Sequence, residues 1–158
     1  MLRYIFAAVA LALGLPGAAD AARRPAIAGT DVLTGKRVAL SQFAGKPVFV
    51  NVWGSWCYGC KQEAPTLARF ARAHAKEVAF LGIDTEDTKQ GARAFARRHG
   101  ISYPSIWDPR GMLAGQWSRG APTTLVFDHR HLFVRRIEGT ASTAQLNAAL
   151  KQATSTRR

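Results

Sequence analysis

The chain has 158 residues, of which 47% are hydrophobic and 20% charged, and it carries a formal net charge of +12. This length indicates one domain, and two cysteines are too few for a disulfide scaffold. The positive residues are scattered and no nucleic-acid motif accompanies them, so we predict no nucleic-acid partner.

The first 21 residues have the features of an export signal. Arg3 supplies a positive charge, residues 4–15 form an apolar run, and residues 19–21 (Ala-Asp-Ala) fit a cleavage site. The run is shorter than the ~20 residues that a membrane-spanning helix needs. We therefore predict a signal peptide over residues 1–21, with an uncleaved membrane anchor as the alternative. Either form makes the protein periplasmic or otherwise extracytoplasmic.

A flexible leader is predicted over residues 22–30, and one folded domain over residues 31–154. The domain opens with a β-hairpin that turns at Thr34-Gly35. A buried strand follows at residues 47–53, and apolar periodicity predicts a helix over residues 57–74. Pro65 is expected to kink this helix.

The second half of the chain alternates between predicted strands and predicted helices. Residues 77–84 are predicted to form a buried strand, and residues 88–99 a helix that Gly100 ends. A short extended piece precedes a turn at residues 109–111. A second hairpin over residues 123–139 is followed by a last helix that begins at Ser142 or Thr143. This order predicts one central sheet with helices on both faces.

The two cysteines, Cys57 and Cys60, lie where the first buried strand ends and the predicted helix begins. Unpaired N–H groups and the helix dipole stabilise a thiolate at a helix N-terminus. Such a thiolate is the reactive nucleophile, and a cysteine one turn later can resolve the mixed disulfide. We therefore predict a redox-active dithiol in which Cys57 attacks and Cys60 resolves, without any other cofactor.

Two other readings of the cysteine pair stay open but are less favoured. A structural zinc site needs four ligands, and the chain has no second cysteine pair. His129 and His131 could supply two ligands, but they lie in a predicted surface turn far from the cysteines in sequence. An inert disulfide over so short a separation would constrain the unfolded chain little. We expect no metal.

The segment VNVWGSWCYGCKQEAP, residues 50–65, resembles the active-site segment of exported TlpA/ResA-type thiol–disulfide oxidoreductases, a branch of the thioredoxin superfamily that includes cytochrome c maturation thioredoxins. The resemblance extends over about residues 31–139 and includes GAPTTLVFD at residues 120–128. It implies an α/β thioredoxin fold for residues 31–154. This fold has a central mixed β-sheet flanked by helices, an N-terminal β-hairpin and a central strand–helix insertion.

The resemblance also implies how a client protein is held. Trp56 would flank the reactive sulfur, and Pro122 would be a cis-proline that faces the cysteines. Ala121 would pair through its backbone with the client. The alternatives are a core position for Trp56 and an ordinary trans peptide bond before Pro122.

A glutamate three residues after the second cysteine, here Glu63, is typical of the same branch. Asn51 occupies the place where cytosolic thioredoxins carry a buried acid. Glu63 lies one helical turn beyond Cys60, and partial burial would raise its pKa, so it is predicted to exchange protons with that thiol. The alternative is a surface glutamate that pairs with Lys61 or Arg69.

The spacer Tyr58-Gly59 departs from the family pattern. It contains no histidine to stabilise the thiolate strongly, and Gly59 is expected to loosen the first helical turn. Tyr58 is either a client contact or merely an exposed ring. Because the spacer is unfamiliar, the redox potential and the direction of electron flow stay open.

The favoured function is an exported reductase for client proteins with cysteine pairs, for example apocytochrome c or copper-site cysteines. A membrane dithiol donor would re-reduce it, and we expect a monomer. The first alternative is a secreted disulfide-forming oxidant. A thiol peroxidase is disfavoured because Gly54 stands where that chemistry needs a threonine. A copper-delivery module is disfavoured by the cysteine spacing.

Overall fold

A computed structural model describes residues 25–155 of the chain. The signal-peptide prediction for residues 1–21 lies outside the described residues, as does the start of the predicted leader. Within residues 25–155, no helix is both long enough and apolar enough to cross a membrane.

A mixed five-stranded sheet forms the centre of the molecule, in the order β5-β4-β3-β6-β7. Its strands are β3 (Val48–Trp53), β4 (Ala79–Thr85), β5 (Ser105–Asp108), β6 (Thr123–Phe127) and β7 (Phe133–Glu138). Neighbours β3, β4 and β5 are parallel, and β6 is antiparallel to both β3 and β7. Every residue of β3 is buried, because this strand has a neighbour on each side and packed layers on both faces. The predicted strands are confirmed.

The N-terminal hairpin begins earlier than predicted. Its strands are β1 (Ala28–Thr30) and β2 (Arg37–Ala39), so residues 28–30 are not part of a flexible leader. Ile27 is 1% exposed, and a Cβ on Gly29 would overlap the side chain of Ile106. The small residues of β1 allow it to lie directly on β5, and this close approach leaves no alternating pattern in the sequence.

The three α-helices match their predicted positions to within two residues. They are α1 (Tyr58–Ala73), α2 (Lys89–His99) and α3 (Thr143–Ser155). Helix α1 continues through Pro65. Helix α2 begins where the Thr88 hydroxyl accepts the Gly91 N–H, and it ends at Gly100, whose φ of 68° is left-handed.

Helical segments cover both faces of the sheet, as predicted, but they do so unequally. All three α-helices contribute buried residues to one core, which also contains Phe49 and Trp53 from β3. The opposite core, around Val50 and Val52, is covered by the hairpin and two short 3₁₀ segments, Leu40–Phe43 and Ala114–Gln116. The active-site helix and the C-terminal helix α3 therefore share one face.

Candidate active site

The cysteine pair sits at the turn from β3 into α1. Cys57 is the N-cap residue of α1, and its Sγ accepts the backbone N–H of Cys60 at 3.1 Å. Cys57 and Cys60 form a disulfide in this structure, with Cα atoms 5.2 Å apart. When the pair is reduced, the same N–H group and the helix dipole are placed to stabilise a Cys57 thiolate.

The two cysteine residues differ little in exposure. Cys57 is 4% exposed and Cys60 is 1% exposed. Two large rings beside them are open to solvent: Tyr58 is 75% exposed and Trp56 is 52% exposed. A core position for Trp56 is therefore wrong, and its indole N–H donates to the Thr85 carbonyl at 3.0 Å.

Glu63 is buried inside the molecule, with 1% of its surface exposed. One carboxylate oxygen accepts the Asn51 side-chain N–H at 3.0 Å, and the other accepts the Ala141 backbone N–H at 2.7 Å. Asn51 also lies 3.4 Å from the Thr124 hydroxyl. The alternative of a surface glutamate that pairs with Lys61 or Arg69 is therefore wrong.

The environment of Glu63 shifts its pKa upward, which makes its carboxylate a stronger base than that of an exposed glutamate. Burial raises the pKa of Glu63, while the hydrogen bonds from Ala141 and Asn51 offset part of that rise. Glu63 follows Cys60 by one turn on the buried side of α1. A carboxylate so placed is suited to accept a proton from the neighbouring Cys60 thiol.

Pro122 follows a cis peptide bond from Ala121, the isomer that the resemblance implies. Gly59 faces this proline directly. A Cβ on Gly59 would lie 3.0 Å from Cδ of Pro122 and 3.4 Å from the Thr140 hydroxyl. The sequence-based expectation for Gly59 concerned only the freedom of its backbone. The structure adds that the absence of a side chain makes room for the cis-proline.

A cleft of about 150 Å³ opens beside Trp56, the residue that precedes Cys57. Trp56 and Ala121 line it, together with the charged side chains of Glu86, Arg110 and Arg119. Two of the residues predicted to hold a client, Trp56 and Ala121, thus border one concave surface. The arginines were not predicted to belong to the site, because they are distant in sequence from both cysteines.

The histidines considered as metal ligands do not both lie on the surface. His131 is 4% exposed, and its Nε2 atom lies 3.2 Å from the Phe43 carbonyl. The prediction of a surface turn is wrong for this side chain. Within residues 25–155, no group of three or more His, Cys, Asp or Glu side chains is placed to hold a metal ion.

Residues 21–136 match the model of the AhpC/TSA family. Thiol–disulfide oxidoreductase ResA of Bacillus thuringiensis (strain Al Hakam) is 30% identical over 124 residues, which cover 77% of this chain and 72% of that protein. ResA of Bacillus subtilis (strain 168) is 29% identical over 115 residues, with coverage of 72% and 64%.

Two solved structures are also similar. A DsbF homologue from Corynebacterium diphtheriae superposes with a TM-score of 0.74 at 28% identity and covers 80% of this chain and 83% of its own. A secreted thiol–disulfide isomerase from Corynebacterium glutamicum has a TM-score of 0.71 at 28% identity, with coverage of 82% and 84%. The predicted thioredoxin fold and the predicted ResA-type resemblance are confirmed.

Proposed function

The chain belongs to the AhpC/TSA family and, within it, to the ResA-type thiol–disulfide oxidoreductases; from this premise we propose that it reduces disulfides in client proteins outside the cytoplasm. The observation that carries the direction of electron flow is the buried Glu63, together with the absence of a histidine between the cysteines. A buried carboxyl group can take the proton of the resolving thiol, and no imidazolium is present to hold the Cys57 thiolate.

The exchange takes place in two steps. The Cys57 thiolate attacks one sulfur of the client disulfide, which forms a mixed disulfide and releases the other client sulfur as a thiolate. Cys60 then loses its proton to Glu63 and attacks the Cys57 sulfur, which releases the second client sulfur. The client gains two electrons, and Cys57 and Cys60 end as the disulfide. A membrane dithiol donor would return the pair to the reduced state.

The client is proposed to lie across the cleft, with its backbone on Ala121 and its cysteine next to Pro122. Trp56 offers exposed aromatic surface in the cleft, and Tyr58, next to Cys57 in the chain, offers a second exposed ring. Heme-binding cysteines of apocytochrome c and copper-site cysteines are the proposed clients, and a periplasmic or otherwise extracytoplasmic location fits them. The enzyme is proposed to act as a monomer.

A redox equilibrium tests the direction of electron flow. Purified protein is equilibrated with glutathione buffers, and the Cys57–Cys60 couple is quantified by alkylation. We expect a potential nearer thioredoxin, about −270 mV, than DsbA, about −120 mV. A value above about −150 mV would contradict the reductase and favour the second candidate, a secreted disulfide-forming oxidant. The similarity to a secreted thiol–disulfide isomerase is the observation that keeps this candidate open.

Trapping tests the roles of the two cysteines and identifies the clients. Cys60→Ala should accumulate mixed disulfides with client proteins, because nothing resolves them. Cys57→Ala should accumulate none. Equal trapping by both variants, read on non-reducing gels and by mass spectrometry, would show that the roles are assigned wrongly.

A peroxidase is not proposed, although the family includes such enzymes. Gly54 has no hydroxyl group, and a Cβ at this position would overlap the indole nitrogen of Trp56. The threonine that this chemistry needs therefore has no room while Trp56 keeps its hydrogen bond to Thr85.

A further inference from the structure

Asp84 is a buried acid at the carboxyl end of β4 that the proposed exchange steps do not use. It is 0% exposed, and neither carboxyl oxygen contacts an N–H or O–H donor. Its register partners in the sheet are Trp53 on β3 and Trp107 on β5. A buried carboxylate without a donor is costly, so this environment favours the protonated acid.

The charged groups around Asp84 act in the same direction. Asp87, in the loop before α2, and Asp108, at the end of β5, both oppose a negative charge on it. The Asp108 carboxylate already accepts the N–H groups of Leu113 and Ala114, at 3.0 and 2.8 Å.

The remaining elements offer Asp84 no counter-charge in the contacts of residues 25–155. On α2, the Lys89 ammonium lies over the Trp107 ring, 4.3 Å from its centre. On α1, the Glu63 carboxylate is occupied by Asn51 and Ala141. Burial first, and then Asp87 and Asp108, raise the pKa of Asp84 to about 8. This raised pKa favours the protonated form at neutral pH, and a side-chain hydrogen bond with Asp87 is one of its causes.

The Asp87 carboxylate holds the segment that leads into Cys57. One of its oxygens accepts the Ser55 backbone N–H at 2.6 Å, and the other accepts the Ser55 hydroxyl at 2.9 Å. The same carboxylate accepts the Thr88 N–H at 2.7 Å. The Cys57 N–H donates to the Gly54 carbonyl at 3.1 Å and closes a turn that contains Ser55, so Asp87 holds the same turn that carries Cys57.

We infer that Asp84 is a positioning residue for the active-site turn: its acid proton bridges to Asp87, and Asp87 in turn fixes Ser55 and the approach to Cys57. Loss of this proton places two carboxylates against each other and loosens the hold on Ser55. The reactivity of Cys57 is thereby linked to an ionisation outside the cysteine pair. This regulation rests on the proposed thiol exchange, whereas the inferred bridge between Asp84 and Asp87 does not depend on it.

The first test uses the full chain in its oxidised form, in which neither cysteine titrates. Carbon-13 NMR follows the Asp84 carboxyl group, and nitrogen-15 NMR follows the Ser55 amide, over the same pH series. We expect both signals to move with one midpoint near pH 8. The inference is overturned if Asp84 titrates in the usual range of an aspartate. It is also overturned if the chemical shift of the Ser55 amide does not change when Asp84 ionises.

The second test compares three variants. Asp84→Asn keeps a donor toward Asp87 but cannot ionise, so the Ser55 signal should stay in place and lose its pH step. Asp84→Ala has no donor and should show the loosened Ser55 signal at every pH. The matched control is Glu86→Gln, which removes one exposed negative charge from the same loop and should keep the wild-type step. An unchanged step in Asp84→Asn contradicts the bridge.

The third test separates the bridge from the proposed function. In the reduced protein, the rate of Cys57 alkylation should change about tenfold or more across the Asp84 step, since misplaced reacting groups lose rate steeply. Asp84→Asn should show only the ionisation of the thiol itself. If the NMR step is present but the protein exchanges no disulfides, the proposed function fails and the bridge stands. If the protein exchanges disulfides but shows no NMR step, the inferred bridge is wrong and the proposed function stands.

Discussion

At the scale of single residues, the most informative position is Glu63. The spacing of Glu63 from Cys60 predicted a role in proton exchange, but the sequence did not reveal its two hydrogen-bond donors. Asn51 lies 12 positions before it and Ala141 lies 78 positions after it. A backbone N–H leaves no mark in a sequence, so the Ala141 contact required the folded chain.

We predict that Glu63→Gln slows the release of a client from its mixed disulfide by about 100-fold, because general acid–base catalysis is lost. The glutamine amide group would also face one of the two N–H donors, at a cost of about 1–3 kcal/mol in unfolding free energy. Stopped-flow measurement of the release step reads the first effect. Gln62→Ala, an exposed neighbour on α1, is the control. Equal release rates in wild type and Glu63→Gln would contradict the proton-transfer role.

The pH dependence of stability offers an independent reading of Glu63. Its pKa is raised in the folded protein, so the folded state binds the proton more tightly than the unfolded chain. Wild-type stability should therefore fall as the pH rises above the usual glutamate pKa, and level off above the raised one. The difference in unfolding free energy between Glu63→Gln and wild type, followed by urea titration, should change over the same interval and be flat outside it.

At the scale of elements, the contact between α1 and the turn before β6 sets the shape of the site. Gly59 and Pro122 are 63 positions apart in the sequence, and their fit depends on a missing side chain. The positions and types of the strands and helices followed from apolar periodicity, the Thr88 cap and Gly100. The start of the hairpin was missed, because Ala28 and Gly29 are selected for close approach to β5 rather than for a strand pattern.

We predict that Gly59→Ala displaces Pro122 by a few tenths of an ångström and lowers the rate of client reduction. Alanine favours the helix by about 0.5–1 kcal/mol, so stability should change little while the client surface moves. A rate loss of about tenfold is expected for a folded client and less for a small disulfide, which needs no groove. The two rates are measured in parallel.

The matched control is Gly120→Ala. Gly120 lies two residues before Pro122, and a Cβ there would meet no atom within 4 Å. If both alanine variants reduce the client at the same rate, the close fit of Gly59 and Pro122 has no role in client binding.

At the scale of the whole molecule, part of the net charge of +12 is located at the cleft. Arg110 and Arg119 outnumber Glu86 among the charged residues that line it. Scattered arginines gave no signal in the sequence, since their convergence on one surface depends on the tertiary fold. The fold class could be predicted because one strand–turn–helix segment and one proline are typical of it, whereas the charge of the cleft depends on side chains brought together from distant loops.

We predict that a disulfide peptide with acidic flanking residues reacts faster than its basic counterpart, because the positive field steers it to the cleft. The advantage should shrink by about tenfold or more between about 0.01 M and about 1 M salt, as the Debye length falls from ~30 to ~3 Å. Second-order rate constants measured at both salt concentrations test this. Equal salt dependence for the two peptides would show that the net charge does not guide the client.

The hydrogen bond between Ala141 and Glu63 has a consequence for the order in which the protein is made. A ribosome delivers the chain from its N-terminus, so both cysteines, Glu63 and Pro122 are synthesised before Ala141 is added. A nascent chain that stops short of Ala141 holds a dithiol whose acid lacks one of its two partners. The cysteines are therefore synthesised early, but Glu63 gains its second hydrogen bond only after the segment leading into α3 has packed against it. During synthesis there is thus an interval in which both thiols are present while the hydrogen bonds of Glu63 are incomplete.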